Sequence, residues 1–483
     1  MLICILNALL LTALSTECFR ILQSCSYKPQ RGYLKIYLTP FVLLLVIVQI
    51  ASVLCHFLLS KWIVTGMFTV ATTLVLVKKR KCPLRYTKRV VRMLIVQLAA
   101  LVCLCRIVGG VFVVIMLPII TLISWLICLP IDCFIANYYL KKATKKLSQS
   151  DVTVIAITGS YGKTCTKDML SALLQNAIAP SGSCNTPLGI ASFINKTNFV
   201  GYKYLILEFG ARNVGDIHRL CKLFLPKYGI VTGVCAQHLS TFKTLGNVVK
   251  TKGELVQSLP RDGFCVLNSA DQNVHSLISL GACAKVLTDK TIVSNFQTTL
   301  KGTTFHVTYN GKTYHVTLPQ ISQYVVDTFL TCFNVCTLLG QNVDVTIANC
   351  QKVVQTPHRM QTTFNGRFWI VDDAYNANIK GIESCCNTLS QFDNFKIVLT
   401  QGIVEGGRQQ SQLNEQCGKM LSQTFNVVIA ICKYARQITR GIVGECTVIC
   451  VKTLAQGVEQ LQKHVRQNCI VLFQNDLPDV VSL

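Results

Sequence analysis

Two regimes of hydrophobic patterning divide this chain. Before residue 140, long apolar runs are broken by short basic clusters; after residue 150, short apolar runs alternate with amphipathic stretches. Ile36–Leu59 supplies 24 residues without a charge, enough to cross a bilayer. Trp62–Val77 is a shorter candidate beyond Lys61. Met93–Pro130 is a long tract broken by Arg106 and Gly109-Gly110, which reads as a helical hairpin. Arg106 is costly in lipid and is expected at a turn, against another helix or among headgroups. Met1–Leu14 reads either as a first span or as the core of a signal peptide without a basic leader.

From residue 151 the pattern predicts alternating strands and helices. Val152–Ile157, Tyr204–Phe209 and Tyr228–Val234 read as strands and Val214–Leu225 as a helix, the signals of a doubly wound α/β domain. His306–Val316 carries Asn310-Gly311 between alternating residues, which predicts a hairpin with a type I′ turn. A helix over Val325–Leu339 stops at Gly340. After Pro357, strands are expected at Phe368–Val371, Lys396–Leu399, Asn426–Ile431, Cys446–Val451 and Cys469–Phe473. The expected organisation is an α-helical transmembrane region over 1–147, a doubly wound central domain with a phosphate loop over 148–355, and a Rossmann-like C-terminal domain over 356–483.

Charge refines this picture. The net charge is +25, yet residues 1–147 hold eighteen Lys and Arg against only Glu17 and Asp132, so +16 lies there. The remaining +9 shows no basic run with interleaved aromatics, which argues against a nucleic-acid partner. Basic clusters at 20–35, 78–92 and 141–146 predict a multi-pass topology whose loops on that side, and everything after 147, face the cytoplasm. None of the 25 cysteines is spaced CxxC; scattered through apolar patterns, they read as buried reduced thiols rather than a zinc site.

The chemistry concentrates in VTVIAITGSYGKTCTKD, residues 152–168. A β-branched run ends at a glycine loop, Gly159-Ser160-Tyr161-Gly162, and Lys163-Thr164 open a helical pattern. That arrangement aims backbone N–H groups and a helix start at phosphate; Lys163 neutralises its charge and Thr164 offers a magnesium ligand. The spacing is the short GxxGKT, so an ordinary βα turn is the competing reading. Downstream, Asn185 and Thr186 follow the first helix, Glu208 ends a strand, His238 follows the next and Lys252 lies in TKGEL. Strand ends converge on ligands in a doubly wound sheet, and a carboxylate with an imidazole there suits Mg²⁺ bound to ATP. Taken alone, Lys252 would be an ordinary surface lysine, while a satisfied core or loop histidine is the competing reading of His238.

TGSYGKTCTK, NTPLGIA, LEFGARNVGDI, Gln237-His238-Leu239, TKGEL, VLNSAD, PHRM and DDAYNAN occur in the order and rough spacing of the Mur ligase family. From about residue 151 onward the chain resembles that family, most closely its MurF-type branch, which adds D-alanyl-D-alanine to the peptidoglycan peptide. The resemblance implies an ATP-dependent ligase that joins a carboxylate to an amine through an acyl phosphate. It implies that Lys163 and the loop amides hold the β- and γ-phosphates, and that Thr164 and Glu208 bind one Mg²⁺. His238 would help hold a second, supported by a carbamylated Lys252. Asn268 would lie toward adenine, Arg359 at the γ-phosphate and Asp373 at the ribose or metal. Asn185, Thr186, Tyr375, Asn376 and Asn378 are the expected substrate contacts. The expected partners are a UDP- or lipid-linked cell-wall peptide precursor, an amino acid or dipeptide, and membrane lipids.

The chain departs from the family in three places. A membrane region stands where the UDP-binding domain is usual, Tyr324–Thr328 replaces HNxxN, and KGSR is absent before VLFQNDLPDVVSL. A lipid-linked acceptor is therefore a second ligase reading. A non-catalytic ATP-binding membrane scaffold is a competitor from another class.

Overall fold

The computed structural model describes residues 2–25, 27, 33, 40–58, 61–77, 83–107, 113–322, 324–375, 378–404, 406–431 and 434–474. It divides into two compact units, Met1–Tyr138 and Tyr139–Leu477.

The first unit is helical: α1 (Leu2–Leu14), α2 (Thr16–Ser24), α3 (Pro40–Leu58), α4 (Lys61–Val77), α5 (Lys88–Ile107) and the first part of α6 (Leu117–Ser148). Leu2–Ser24, Lys88–Ile107 and Val114–Ser148 are long and apolar enough to cross a membrane. The first of these runs longer than the Met1–Leu14 tract expected from hydropathy. Thr12, Ser15 and Thr16 return their hydroxyls to backbone carbonyls three or four residues back, and Arg20 pairs with Glu17 at 2.9 Å, so the polar groups are satisfied within the run, which turns only at Ser15 between α1 and α2. Arg106 lies exposed in the last turn of α5. The helix α6 continues through Pro130, past the expected end of its apolar tract. Buried polar pairs tie the unit together: Thr65 donates to Asn7 at 2.8 Å and Thr121 to Gln97 at 3.1 Å. Much of the unit's outer surface is apolar, with Leu43, Ile95 and Phe134 more than half exposed.

In the second unit, the end of α6 buries Leu140, Ala143 and Leu147 in the same apolar cluster as Ile190 and Phe224. The Lys146 ammonium donates to Asn195 O at 3.2 Å and lies over the Phe199 ring. The chain then runs β1 (Thr153–Thr158), α7 (Lys163–Leu173), β2 (Ala177–Ile178), α8 (Pro187–Lys196), β3 (Tyr204–Glu208), α9 (Asp216–Phe224) and β4 (Tyr228–Val231). The short α10 (Leu239–Phe242) leads to α11 (Leu245–Ser258), β5 (Phe264–Leu267), α12 (Gln272–His275) and β6 (Ala284–Leu287). These strands form one parallel sheet in the order β2-β3-β1-β4-β5-β6. The central strands β1 and β3 are almost wholly buried and apolar, because helices cover both faces.

One of those faces carries an antiparallel sheet, β7 (Val293–Thr299), β8 (Gly302–Tyr309) and β9 (Lys312–Leu318), together with α13 (Val325–Leu338). Asn310 and Gly311 both have positive φ, 49° and 76°, as a type I′ turn requires. After α14 (Val343–Ala348) the second sheet follows: β10 (Gln361–Phe364), β11 (Trp369–Asp373), α15 (Ile379–Leu389), β12 (Lys396–Thr400), α16 (Gln410–Thr424), β13 (Val427–Ile431), α17 (Ala435–Gly441), β14 (Thr447–Val451), α18 (Leu454–His464) and β15 (Ile470–Gln474). Its order is β10-β11-β15-β12-β13-β14, parallel except for the β10 edge.

Candidate active site

The strand β1 delivers the chain to a loop that only glycine can make. Gly159 has φ 156°, and a Cβ there would sit 2.0 Å from Thr232 Oγ1; Gly162 has φ 75° and caps α7. The loop is sewn to the segment after β4. Ser160 N donates to Gly233 O at 2.8 Å, and the Ser160 hydroxyl donates to Cys235 O and accepts from Cys235 N. Lys163 folds back so that Nζ donates to Gly159 O at 2.8 Å. A loop of this shape presents a helix start and an ammonium to the same small volume.

Glu208 stands beside it. Only 2% of the residue is exposed, and the Thr164 hydroxyl donates to its Oε2 at 2.9 Å. Asn185 Nδ2 lies 3.4 Å from Oε1. Thr186 is placed differently from its neighbour: its hydroxyl accepts from Gly189 N and caps α8.

Lys252 reaches the site from α11. That helix is tied to the start of α9 by the Glu254 carboxylate, which accepts from Gly215 N at 2.7 Å and His218 N at 2.9 Å. Burial, then the charge of Lys163, pushes the Lys252 ammonium down to about 7, with Cys235, Glu254 and Glu208 opposing. Lys163 is also pushed down, first by burial, with Glu208 opposing and Arg359 adding to the fall. Lys163, Thr164, Glu208 and Lys252 therefore share one electrostatic neighbourhood. His238 begins α10 in the left-handed region, φ 52°, at the far end of the loop leaving β4.

A cavity of about 120 Å³ opens beside Gly162. Asn268 lines it, with its amide donating to Thr232 O at 2.9 Å. Arg359 and Asp373 line it as well. The Arg359 guanidinium lies 4.1 Å above the Tyr375 ring. Asp373 accepts from Met360 N and Cys385 Sγ; burial pushes its carboxyl up to about 6, while Cys385 and Arg359 pull it back. Asn378 caps α15, and Cys235 Sγ lies 3.7 Å from its Oδ1. Asn376 falls outside the described residues.

The sequence puts Tyr161 in the phosphate loop and Asp327 in the segment that replaces HNxxN, but neither the Tyr161 partner Asp271 nor the cavity role of Asp327 follows from it. Tyr161 donates to Asp271 Oδ2 at 2.7 Å, and its ring meets that of Tyr324 at 5.3 Å. Asp327, a lone carboxylate in an apolar helix, lines the same cavity and pairs with Lys290 at 2.8 Å. Its isolation among apolar neighbours was the available signal.

The donor set fits a magnesium ion that takes most of its ligands from phosphate and water. One hydroxyl and one carboxylate oxygen stand 2.9 Å apart, and among the described residues no cluster of three His, Cys, Asp or Glu forms an all-protein cage.

Residues 157–336 match the Mur ligase middle domain. The chain is 26% identical over 284 residues to the UDP-N-acetylmuramoyl-tripeptide–D-alanyl-D-alanine ligase of Escherichia coli (strain K12), covering 56% of this chain and 62% of that protein. It is thus similar to less than two thirds of that relative's length. Among solved structures it resembles MurF from Acinetobacter baumannii, with a TM-score of 0.65, 19% identity, and 71% of this chain and 77% of that one covered. It also resembles MurF ligase from Thermotoga maritima in complex with ADP, at TM-score 0.63 and 22% identity over 71% and 81% of the two chains. The middle of the chain, residues 157–336, is thus similar to a Mur ligase middle domain.

Proposed function

We propose that this chain is an ATP- and Mg²⁺-dependent amide-bond ligase of the MurF type. Its substrates would be a peptidoglycan-precursor peptide and an amino acid or D-alanyl-D-alanine. The observation that carries the reading is the meeting of Lys163, Thr164 and Glu208 at one glycine loop, with Lys252 sharing their field. In the reaction, a precursor carboxylate takes the γ-phosphoryl group and ADP leaves. The amine then attacks the acyl carbon, phosphate departs, and the amine gives up a proton.

Lys163 and the loop amides bind the β- and γ-phosphates, and Arg359 neutralises charge on the transferred group. Thr164 and Glu208 hold one Mg²⁺, which when bound screens the phosphate charge. His238, with Lys252 as its carbamate, supports a second; a lysine held near 7 offers the neutral amine that carbon dioxide requires. Asn268 lies toward the base and Asp373 toward the ribose or metal, while Asn185, Thr186, Tyr375 and Asn378 face the peptide and the amine. Residues 356–483 act as a Rossmann-like domain that closes on the loop and excludes water.

The apolar helices of the first unit make a multi-pass membrane anchor, with the catalytic region on the cytoplasmic side. That anchor favours a second acceptor, a lipid-linked precursor peptide delivered at the bilayer surface. The test is purified full-length protein with ATP, Mg²⁺ and D-alanyl-D-alanine, given UDP-linked or lipid-linked acceptor, with phosphate release and product mass as readouts. Turnover with one acceptor, abolished by Lys163→Ala, supports the ligase and selects the substrate. ATP binding without turnover on either acceptor would replace it with a non-catalytic scaffold.

A further inference from the structure

One face of α5 is exposed along its whole length: Lys88, Val91, Ile95, Ala99, Cys103 and Arg106 recur at helical spacing. The two cations bracket an apolar stripe of about 27 Å at 1.5 Å per residue, close to the roughly 30 Å of a bilayer's hydrocarbon. The Lys88 end is the more basic, with Arg85, Lys88, Arg89 and Arg92 gathered at the helix start.

Arg85 and Lys88 are exposed, whereas Arg89 and Arg92 are held in place. Asp132, 4% exposed, accepts from Arg89 Nε and from a terminal nitrogen of Arg92. The Arg89 guanidinium also lies 4.3 Å above the Tyr27 ring. The backbone of Arg85 is pinned at both its N–H and its carbonyl by the Gln23 amide, each at 2.9 Å. One carboxylate thus holds two guanidiniums, which leaves a net positive fork. Arg92 Nε is closed off from water and meets no acceptor among the described residues. That nitrogen is out of a ligand's reach, but the Arg89 and Arg92 side chains are each about a third exposed, and guanidiniums fixed at the end of an apolar stripe suit a phosphate carried on an acyl chain.

Building on the membrane reading above, we propose that this corner is a binding site for an anionic phospholipid. Its phosphate contacts Arg85, Lys88 and the outward N–H groups of Arg89 and Arg92, and its chains lie along Val91, Ile95 and Ala99.

The full chain, purified in neutral detergent and stripped of lipid, would be titrated with dioleoylphosphatidylglycerol and dioleoylphosphatidylcholine under native mass spectrometry. Retention of the anionic lipid about thirtyfold better than the neutral one is expected, roughly a factor of five for each of Arg85 and Lys88, the two cations outside the Asp132 pairing. The double variant Arg85→Gln/Lys88→Gln, outside the Asp132 pairing, should erase that preference, while Lys141→Gln/Lys142→Gln keeps it. Equal retention of the two lipids, or a preference that survives the first double variant, overturns the site. Displacement of the phospholipid by a lower concentration of undecaprenyl diphosphate also overturns it, in favour of an isoprenyl ligand. Flotation with pure phosphatidylcholine vesicles separates the two levels. Protein that floats without lipid preference refutes only this site, whereas protein that stays in solution refutes the anchor as well.

Discussion

Thr164 Oγ1 donates to Glu208 Oε2 at 2.9 Å, so the first turn of α7 and the carboxyl end of β3 are joined by a single hydrogen bond at the loop. Glu208→Gln preserves an acceptor for that hydroxyl and deletes the negative charge. Nucleotide turnover should fall about 100-fold with little change in melting temperature, and raised Mg²⁺ should restore part of it. Steady-state kinetics across a magnesium series checks this.

Lys252 carries a pH signature. Its ammonium is held near 7 in the folded chain against an ordinary 10.5, so between those values the unfolded chain binds more protons and stability rises with pH. The cost of the buried charge is complete below 7. Lys252→Met should therefore flatten the rise in thermal midpoint from pH 7 to 10 and raise the midpoint at pH 6.5. A steeper rise in the variant would contradict the assignment.

Asp373 works in the opposite sense. Its carboxyl sits near 6 rather than 3.8, so from pH 4 to 6 the folded chain binds more protons and stability falls as pH climbs. Asp373→Asn removes that loss. The variant should melt higher than the parent at pH 7, match it near pH 4, and turn over ATP more slowly, a stability gain set against function. Calorimetry and phosphate release on the same preparations test both halves.

Gly159→Ala drives a methyl into Thr232 Oγ1 and requires a backbone angle that alanine avoids. A loss of about 2–3 kcal/mol is expected, with nucleotide affinity falling further than stability. Thr232→Ala in the same chain relieves the nearer clash, so the double variant should cost less than the two single losses combined. Denaturant titration of the four proteins gives the coupling.

Much of this arrangement was legible in the residue pattern because it depends on local rules. The β1-to-α7 turn and the Asn310-Gly311 hairpin lie where glycine and a change of hydrophobic period put them. The helix expected from Val214 begins two residues later, since Asp216 Oδ2 takes the N–H groups of Arg212 and Asn213 and holds them in a turn. What stayed hidden depends on distant partners. Nothing local says that Tyr161 will meet Asp271 and Tyr324, because those contacts exist only once the sheet is assembled. The last turns of α6 read as a basic loop by charge; their Leu140, Ala143 and Leu147 spacing carried the other message, that this stretch packs into the core following it.

The strand β15 lies between β11 and β12 and bonds to both, although it comes last of the fifteen strands among the described residues. A nascent chain leaving the ribosome must therefore keep two apolar strand borders unmated until residue 474 has emerged. Any premature stop before 470 would leave that gap open for good, and such products should be captured by chaperones or cleared rather than accumulate as half-working protein.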